Sequence, residues 1–253
     1  MPVRPLPVTD AELIEIFSSI QGEGPLLGYR QIFIRFAHCN LNCEYCDTPF
    51  KSVEQCKVES TPGSERLVEW PNPVSASRIE NLISAWTSNQ AGLHHSISLT
   101  GGEPLLHLDV LRDWLPMLRS FLPIYLETNG TLVAQLEVLL PEIDFISMDI
   151  KLPSISGQGE LWDQHSDFLK IASQKKTFVK VVVDKNTPLQ EIRQAASLVA
   201  EVAPDIDFIV QPRTGPNGID ISTQALLKVQ QDISSILSQV RVIPQTHHFL
   251  GVL

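Results

Sequence analysis

Positive charge is scarce in this chain: 19 lysines and arginines stand against 29 aspartates and glutamates, for a formal net charge of −10 over 253 residues. That balance argues against nucleic acid or an anionic membrane as the main partner, because both call for a basic face. A small anionic substrate remains open to it, since one buried Arg or Lys can serve such a ligand. Long apolar runs are missing too, and nothing approaches the roughly 18 residues of a bilayer span. Met1 to Asp10 is short, carries prolines and has no apolar h-region, so no signal peptide is visible and a cytoplasmic protein is expected. No internal repeat or low-complexity tract stands out. With a 43% hydrophobic share, residues 1–253 are expected to form one domain with a sizeable core.

Cysteine is sparse at four residues, yet three of them fall within Cys39-Asn-Leu-Asn-Cys43-Glu-Tyr-Cys46. A secreted miniprotein would use such a cluster for disulfides; in a cytosolic chain of this length it points to metal or catalysis. The spacing is C-x3-C-x2-C. Thiolates are the usual ligands of iron–sulfur clusters, which normally take four. Three would leave one iron open to a substrate or cofactor. The same thiolates suit structural zinc, with His38 or Cys56 as a fourth ligand, although the second ligand pair typical of zinc sites is missing.

Apolar runs rich in β-branched residues predict strands at Gln31–Phe36, Ser96–Leu99, Ile124–Glu127, Phe145–Ile150, Thr177–Val183, Phe208–Gln211 and Val240–Ile243. Helical spacing links Ile79, Leu82, Ile83 and Trp86, then Leu108, Leu111, Leu115 and Leu118, then Leu226 through Val240. Thr187-Pro188 with Gln190 reads as an N-cap, a proline at N1 and a capping box. Such alternation predicts an α/β fold, an open partial (β/α) barrel of six to seven parallel strands, short of the eight of a closed one. In such folds the site lies at the carboxyl ends of strands. The polar segments His38–Thr48, Thr100–Pro104, Thr128–Thr131, Lys151–Ser154, Pro212–Gly215 and Pro244–His248 all follow strands. Residues 49–74 have no clear period and read as an insertion, a lid or a dimer element, after the cysteine loop.

Gly101-Gly102-Glu103-Pro104 follows the second strand, one β–α unit after the cysteines. Taken together, the two motifs resemble the radical S-adenosylmethionine superfamily. Further segments narrow the likeness: Ser19-Ile20-Gln21-Gly22-Glu23-Gly24, Arg35, Cys46-Asp47-Thr48, Glu127-Thr128-Asn129-Gly130 and Gln245-Thr246-His247. With them the chain resembles the 7-carboxy-7-deazaguanine synthase family almost end to end, the gap being the 49–74 segment.

The resemblance implies a lyase working as a homodimer with S-adenosylmethionine, a [4Fe–4S] cluster, Mg²⁺ and a flavodoxin- or ferredoxin-like electron donor. The implied reaction contracts 6-carboxy-5,6,7,8-tetrahydropterin to 7-carboxy-7-deazaguanine and releases ammonia, in deazapurine and queuosine biosynthesis. Cys39, Cys43 and Cys46 would hold the cluster and Thr48 the Mg²⁺. Gly101, Gly102, Glu103, Ser147, Asp149 and Lys151 would meet the cofactor. Ile20, Gln21, Gly22, Glu23, Arg35, Thr100, Glu127, Gln245 and His247 would meet the substrate. Residue chemistry agrees at two points. An amide and a carboxylate at Gln21 and Glu23 can pair with an aminopyrimidinone edge. Arg35, alternating with Ile34 and Phe36, is expected to turn a guanidinium into a polar site, where a carboxylate is its best partner.

Two departures stand out. His248 replaces the lysine usual after the terminal Gln-Thr-His, and Cys56 is expected to be a free thiol without a family role. His94, His95, His107 and His165 read as packing or surface residues. Two other readings are an activase of glycyl-radical enzymes, which would leave Gln21–Glu23 and Gln245–His247 unexplained, and a zinc-stabilised binding module without catalysis.

Overall fold

The computed structural model describes residues 10–46, 53–89, 91–216 and 218–252. In chain order the strands are β1 (Leu13–Ile20), β2 (Arg30–Phe36), β3 (Gln55–Glu59), β4 (Leu67–Pro71), β5 (Ser96–Gly101), β6 (Ile124–Thr128), β7 (Phe145–Asp149), β8 (Lys176–Val183), β9 (Phe208–Pro212), the short pair β10 (Thr214–Gly215) and β11 (Gly218–Ile219), and β12 (Val240–Val242). The helices are α1 (Ala76–Asn89), α2 (Leu108–Arg119), α3 (Val133–Leu139), α4 (Pro153–Ser156), α5 (Trp162–Ala172), α6 (Leu189–Val202), α7 (Thr223–Ile233) and α8 (His247–Leu250).

Ten strands form one sheet in the order β12-β9-β8-β7-β6-β5-β2-β1-β3-β4. From β2 to β12 every neighbouring pair is parallel. These are the seven expected strands, and the sheet is open, with its edges at β12 and β4. Strands buried on both faces need apolar residues in succession, and β8 from Phe178 to Val183 and all of β9 are buried. Ile34, Phe36, Ile97, Leu99, Leu126 and Met148 share a core with Ile79 and Ile83 of α1 and with Leu111, Trp114 and Leu115 of α2.

Three strands of this sheet are additions to the expected pattern, besides the separate β10–β11 pair. β1 runs antiparallel to β2, β3 lies parallel to β1, and β4 closes a hairpin with β3. The expected lid is therefore corrected: residues 55–71 extend the sheet edge, while 49–52 lie outside the described residues. Cys56 and Val58 turn into the core, and the buried Glu59 carboxylate accepts from the Ser18 N–H at 3.0 Å and the Glu65 N–H at 2.9 Å. β4 exposes nearly every residue, which erased the apolar period by which the segment could have been read.

Two local expectations also fail. The Thr187 hydroxyl bonds to Asp184 at 3.0 Å instead of capping, and no side-chain bond caps α6. Glu191 in its first turn reaches across to Ser154 at 2.8 Å. The apolar stripe from Leu226 to Val240 is split, with α7 ending at Ile233 and Val240 opening β12.

Trp114 is fully buried and packs its ring 6.2 Å from that of Phe36, at the end of β2. Trp114→Ala is expected to cost about 3–5 kcal/mol through the cavity it leaves, read from the urea midpoint followed by circular dichroism.

Candidate active site

The cysteine loop starts where β2 ends. His38 turns the chain with φ of 65°, a left-handed value that costs energy in a residue with a Cβ. Its ring is held 2.8 Å from Glu12. The turn after β5 clamps this entry: the Gly102 N–H donates to the Phe36 carbonyl at 2.9 Å and the Glu103 N–H to the His38 carbonyl at 2.8 Å. A Cβ on Gly102 would collide with the His38 carbonyl, and Gly101 has φ of 111°. One glycine supplies backbone freedom and the other supplies room.

Glu103 itself is fully buried beneath this turn. Its carboxylate accepts from the Leu105 N–H at 3.1 Å, the Thr128 hydroxyl at 2.9 Å and the Asn129 N–H at 2.7 Å. Burial pushes Glu103 up to about 7 against the pull of those donors. Glu103, expected to meet the cofactor, here commits both oxygens inward and fastens the β5 turn to the β6 turn.

Above this clamp lies a cavity of about 380 Å³ at the carboxyl ends of the parallel strands. Its wall brings together Cys39, Cys43 and Cys46, Gly101 and Gly102, Ser147, Asp149 and Lys151, and the segment Ile20 to Glu23. Arg35, Thr100, Glu127, Gln245 and His247 complete it, with His248 beside them. Of the expected site residues only Glu103 is left off the wall; Thr48 lies outside the described residues.

The wall is tightly cross-bonded. The Gln21 amide donates to Glu127 at 2.9 Å and Gln31 at 3.0 Å, and accepts from the Glu23 N–H at 3.0 Å. Thr100 donates to Glu127 at 2.9 Å. Burial, followed by the charge of Glu23, raises Glu127 above the usual carboxylate range. Glu23 pairs with Lys180 and accepts from Gln245 at 3.0 Å. Lys180 also lies 3.7 Å from Asp149, which pairs with Lys151 at 2.7 Å. Lys151 is thus a half-buried member of a charge chain, and it donates to the Tyr45 hydroxyl at 3.1 Å.

Arg35 has two sets of neighbours. It lines the cavity, and its Nε lies 2.8 Å from Glu15 on β1, an ion pair without the alignment of a hydrogen bond. The C-terminal segment is latched onto the Gln21–Gly24 turn, because the Thr246 N–H and hydroxyl both donate to the Gly22 carbonyl, at 2.9 and 3.1 Å. Gly22 has to be glycine there, since a Cβ would run into His247.

Several wall residues went unassigned from sequence: Tyr45, Asn129, Lys180, Gln211, Arg213 and Thr214. The signal for Lys180 was a lone charge in Phe178-Val179-Lys180-Val181-Val182-Val183. Asp149 Oδ1, Gln211 Oε1 and Thr214 Oγ1 are buried in this wall without a hydrogen-bond partner. Each such atom costs about 1–3 kcal/mol, so the wall suits a polar ligand that pairs with them.

The three thiols are free of disulfides, and their donor set is that of an iron–sulfur cluster. Cys39 Sγ accepts from the Leu41 N–H at 3.4 Å and the Asn129 amide at 3.7 Å, as cluster sulfurs commonly do. Burial pushes Cys43 up to about 11 against the charge of Lys151, so a metal must displace its proton. Cys56, once a possible fourth zinc ligand, is buried on β3 outside the cavity, with its thiol pushed up to about 12 by burial. His94 and His165 are packing histidines: burial lowers each to about 4, and His165 accepts from the Lys151 N–H at 3.2 Å.

Fold and site together define a radical S-adenosylmethionine enzyme, and residues 33–196 match the model of the Radical SAM superfamily. The chain is 49% identical to a 7-carboxy-7-deazaguanine synthase of Geobacter sulfurreducens, over 96% of this chain and 98% of that one. It is 36% identical to one of Methanothermobacter thermautotrophicus, again over 96% and 98%. The crystal structure of QueE from Escherichia coli shares the fold with a TM-score of 0.60 at 20% identity, covering 94% of this chain and 95% of that one. The chain belongs to the 7-carboxy-7-deazaguanine synthase family, whose superfamily uses a [4Fe–4S] cluster and S-adenosylmethionine. Among the described residues no helix is long and apolar enough to cross a membrane.

The Glu23–Lys180 pair has a pH signature. Burial pushes Glu23 up, but the charge of Lys180 outweighs it and holds the carboxyl down at about 2, from an ordinary 4.5. The resulting stability is present above about pH 4.5 and lost as pH falls toward about 2. Stability measured against pH is expected to fall less steeply through that window in Glu23→Gln than in the parent protein.

Proposed function

We propose that the protein converts 6-carboxy-5,6,7,8-tetrahydropterin to 7-carboxy-7-deazaguanine with release of ammonia. The observation that carries this reading is the shared cavity: three cysteines, a diglycine turn and the polar residues Gln21, Glu23, Arg35, Glu127, Gln245 and His247 line one wall. A bound cluster supplies the electron that cleaves S-adenosylmethionine and thereby starts radical chemistry on the substrate.

Every other contribution falls to the chain itself. Cys39, Cys43 and Cys46 would ligate three irons and leave the fourth open. Gly101 and Gly102 would let the cofactor approach the backbone closely, with Ser147, Asp149 and Lys151 on its other side. Asp149 holds one oxygen on lysine and keeps the other unpartnered, ready to accept from a bound hydroxyl or ammonium. Arg35 would face the substrate carboxylate, while Ile20 to Glu23 and Thr100 would frame its ring. Glu127, raised by burial, is suited to hold or release a proton at its carboxylate when the product loses one. Gln245 and His247, latched to the Gln21–Gly24 turn, would exclude water.

Mg²⁺ is part of the proposal, supported by the likeness of Cys46-Asp47-Thr48 to the family and by the preference of this ion for hard oxygen ligands. A homodimer, a flavodoxin- or ferredoxin-like donor, a cytoplasmic location and a single catalytic domain complete it on the same family likeness. The activase reading has no use for Gln21–Glu23 or Gln245–His247 in the cavity.

Anaerobically reconstituted protein, given 6-carboxytetrahydropterin, S-adenosylmethionine and a reductant, is expected to form 7-carboxy-7-deazaguanine; none from cluster-loaded protein would refute the reading. Cys43→Ala should abolish the visible cluster absorption and turnover together. Arg35→Ala is expected to weaken pterin binding by about 1.5–3 kcal/mol, the worth of a charge-assisted bond, with cluster content intact. Unchanged pterin affinity would remove Arg35 from the substrate site.

A further inference from the structure

We propose that Asn129 is a positioning residue for the cluster: its side-chain amide donates an N–H···S hydrogen bond to Cys39 and raises the reduction potential of the cluster held there. This rests on Cys39, Cys43 and Cys46 being the cluster ligands and is independent of the substrate's identity.

Asn129 is 6% exposed and sits in the turn after β6. Its Nδ2 lies 3.7 Å from Cys39 Sγ, within reach of the large, diffuse acceptor that sulfur is. Its orientation is determined from the other end: Oδ1 accepts from the Thr131 N–H at 3.2 Å and the Thr131 hydroxyl at 2.6 Å. The amide therefore has to present its NH₂ group to the cysteine loop. Its backbone is pinned as well, by the bond from Asn129 N–H to the buried Glu103. Among the described residues no other side-chain donor reaches a sulfur of the three cysteines.

A ligating sulfur carries no proton and only accepts, so the bonds that matter are those from Asn129 and from the Leu41 N–H at 3.4 Å. Reduction adds negative charge to the cluster and its sulfurs, which strengthens any hydrogen bond they accept. A donor fixed in place thus stabilises the reduced form more than the oxidised one and lifts the potential. The same Nδ2 also donates to Asn40 Oδ1 at 2.9 Å, and Asn40 returns a bond to Thr131 at 2.9 Å. A purely structural role for Asn129, as a tether of the loop, would act through Asn40.

The two roles separate in a redox titration of the reconstituted holoenzyme, followed by electron paramagnetic resonance without substrate or S-adenosylmethionine. Asn129→Leu, similar in size but without a donor, is expected to keep its iron and to move the potential downward. The reduction equilibrium should change by up to about tenfold, or about 59 mV for one electron. Asn129→Asp, which retains an acceptor for Thr131 but turns a carboxylate toward the sulfur, is expected to shift it further. Asn40→Ala, which removes only the tether, should leave the potential unchanged.

An unchanged potential in iron-replete Asn129→Leu would overturn the proposal, and so would an equal shift in Asn40→Ala. Failure of both Asn129 variants to hold iron while Asn40→Ala does would also overturn it, in favour of a folding role. A lack of pterin turnover alongside the expected shifts would count against the proposed reaction and leave this inference standing.

Discussion

The buried carboxylate of Glu103 is the fastening on which the site depends. It joins the turn after β5 to the turn after β6 by accepting from Leu105, Thr128 and Asn129. The backbone of the same β5 turn grips the Phe36 and His38 carbonyls at the entry of the cysteine loop. Three consecutive strand ends are thereby locked to one another, and the loop carrying the cysteines inherits their rigidity. A carboxylate with no water to satisfy it must find every donor within the fold. That requirement explains why Thr128 and Asn129 converge on it.

The second constraint is the charge carried inside the cavity. Lys151, Asp149, Lys180 and Glu23 form a continuous chain of opposite signs, extended by Tyr45 at one end and Gln245 at the other. Burying any one of these ions alone would be costly, and the chain persists because each has a partner of opposite sign. It also links the cysteine loop, the end of β7, the middle of β8, the Gln21–Gly24 turn and the C-terminal segment. Fixed dipoles and charges of this kind need little rearrangement when a ligand arrives, which is how a protein stabilises developing charge cheaply.

The seven parallel strands were legible because strands buried on both faces must be continuously apolar. β1 escaped because Glu15, Ser18 and Ser19 break its apolar run although the strand is largely buried, and the β3–β4 hairpin because its exposed positions, Lys57 and Glu69 among them, interrupt any run. Most of the cavity wall was legible for a different reason, since polar motifs that follow strands have few places to go except the carboxyl edge. Lys180 and Arg213 were hidden because their partners, Glu23 and Asp220, belong to other segments of the chain. The Thr187 capping box failed because Asp184 competed successfully for the same hydroxyl.

What the sequence by itself determined was the pattern: three cysteines at C-x3-C-x2-C spacing, a diglycine turn one β–α unit later, and an α/β repeat that puts both at one end of a sheet. Only the tertiary structure decided the division of labour among the acidic residues. Glu103 and Glu127 look alike in sequence, each in a motif after a strand, but one is turned inward to hold the loops and the other faces the cavity. Whether a carboxylate meets solvent, ligand or backbone donors depends on the neighbouring turns that surround it. That information lies in contacts between distant segments, where local pattern cannot reach.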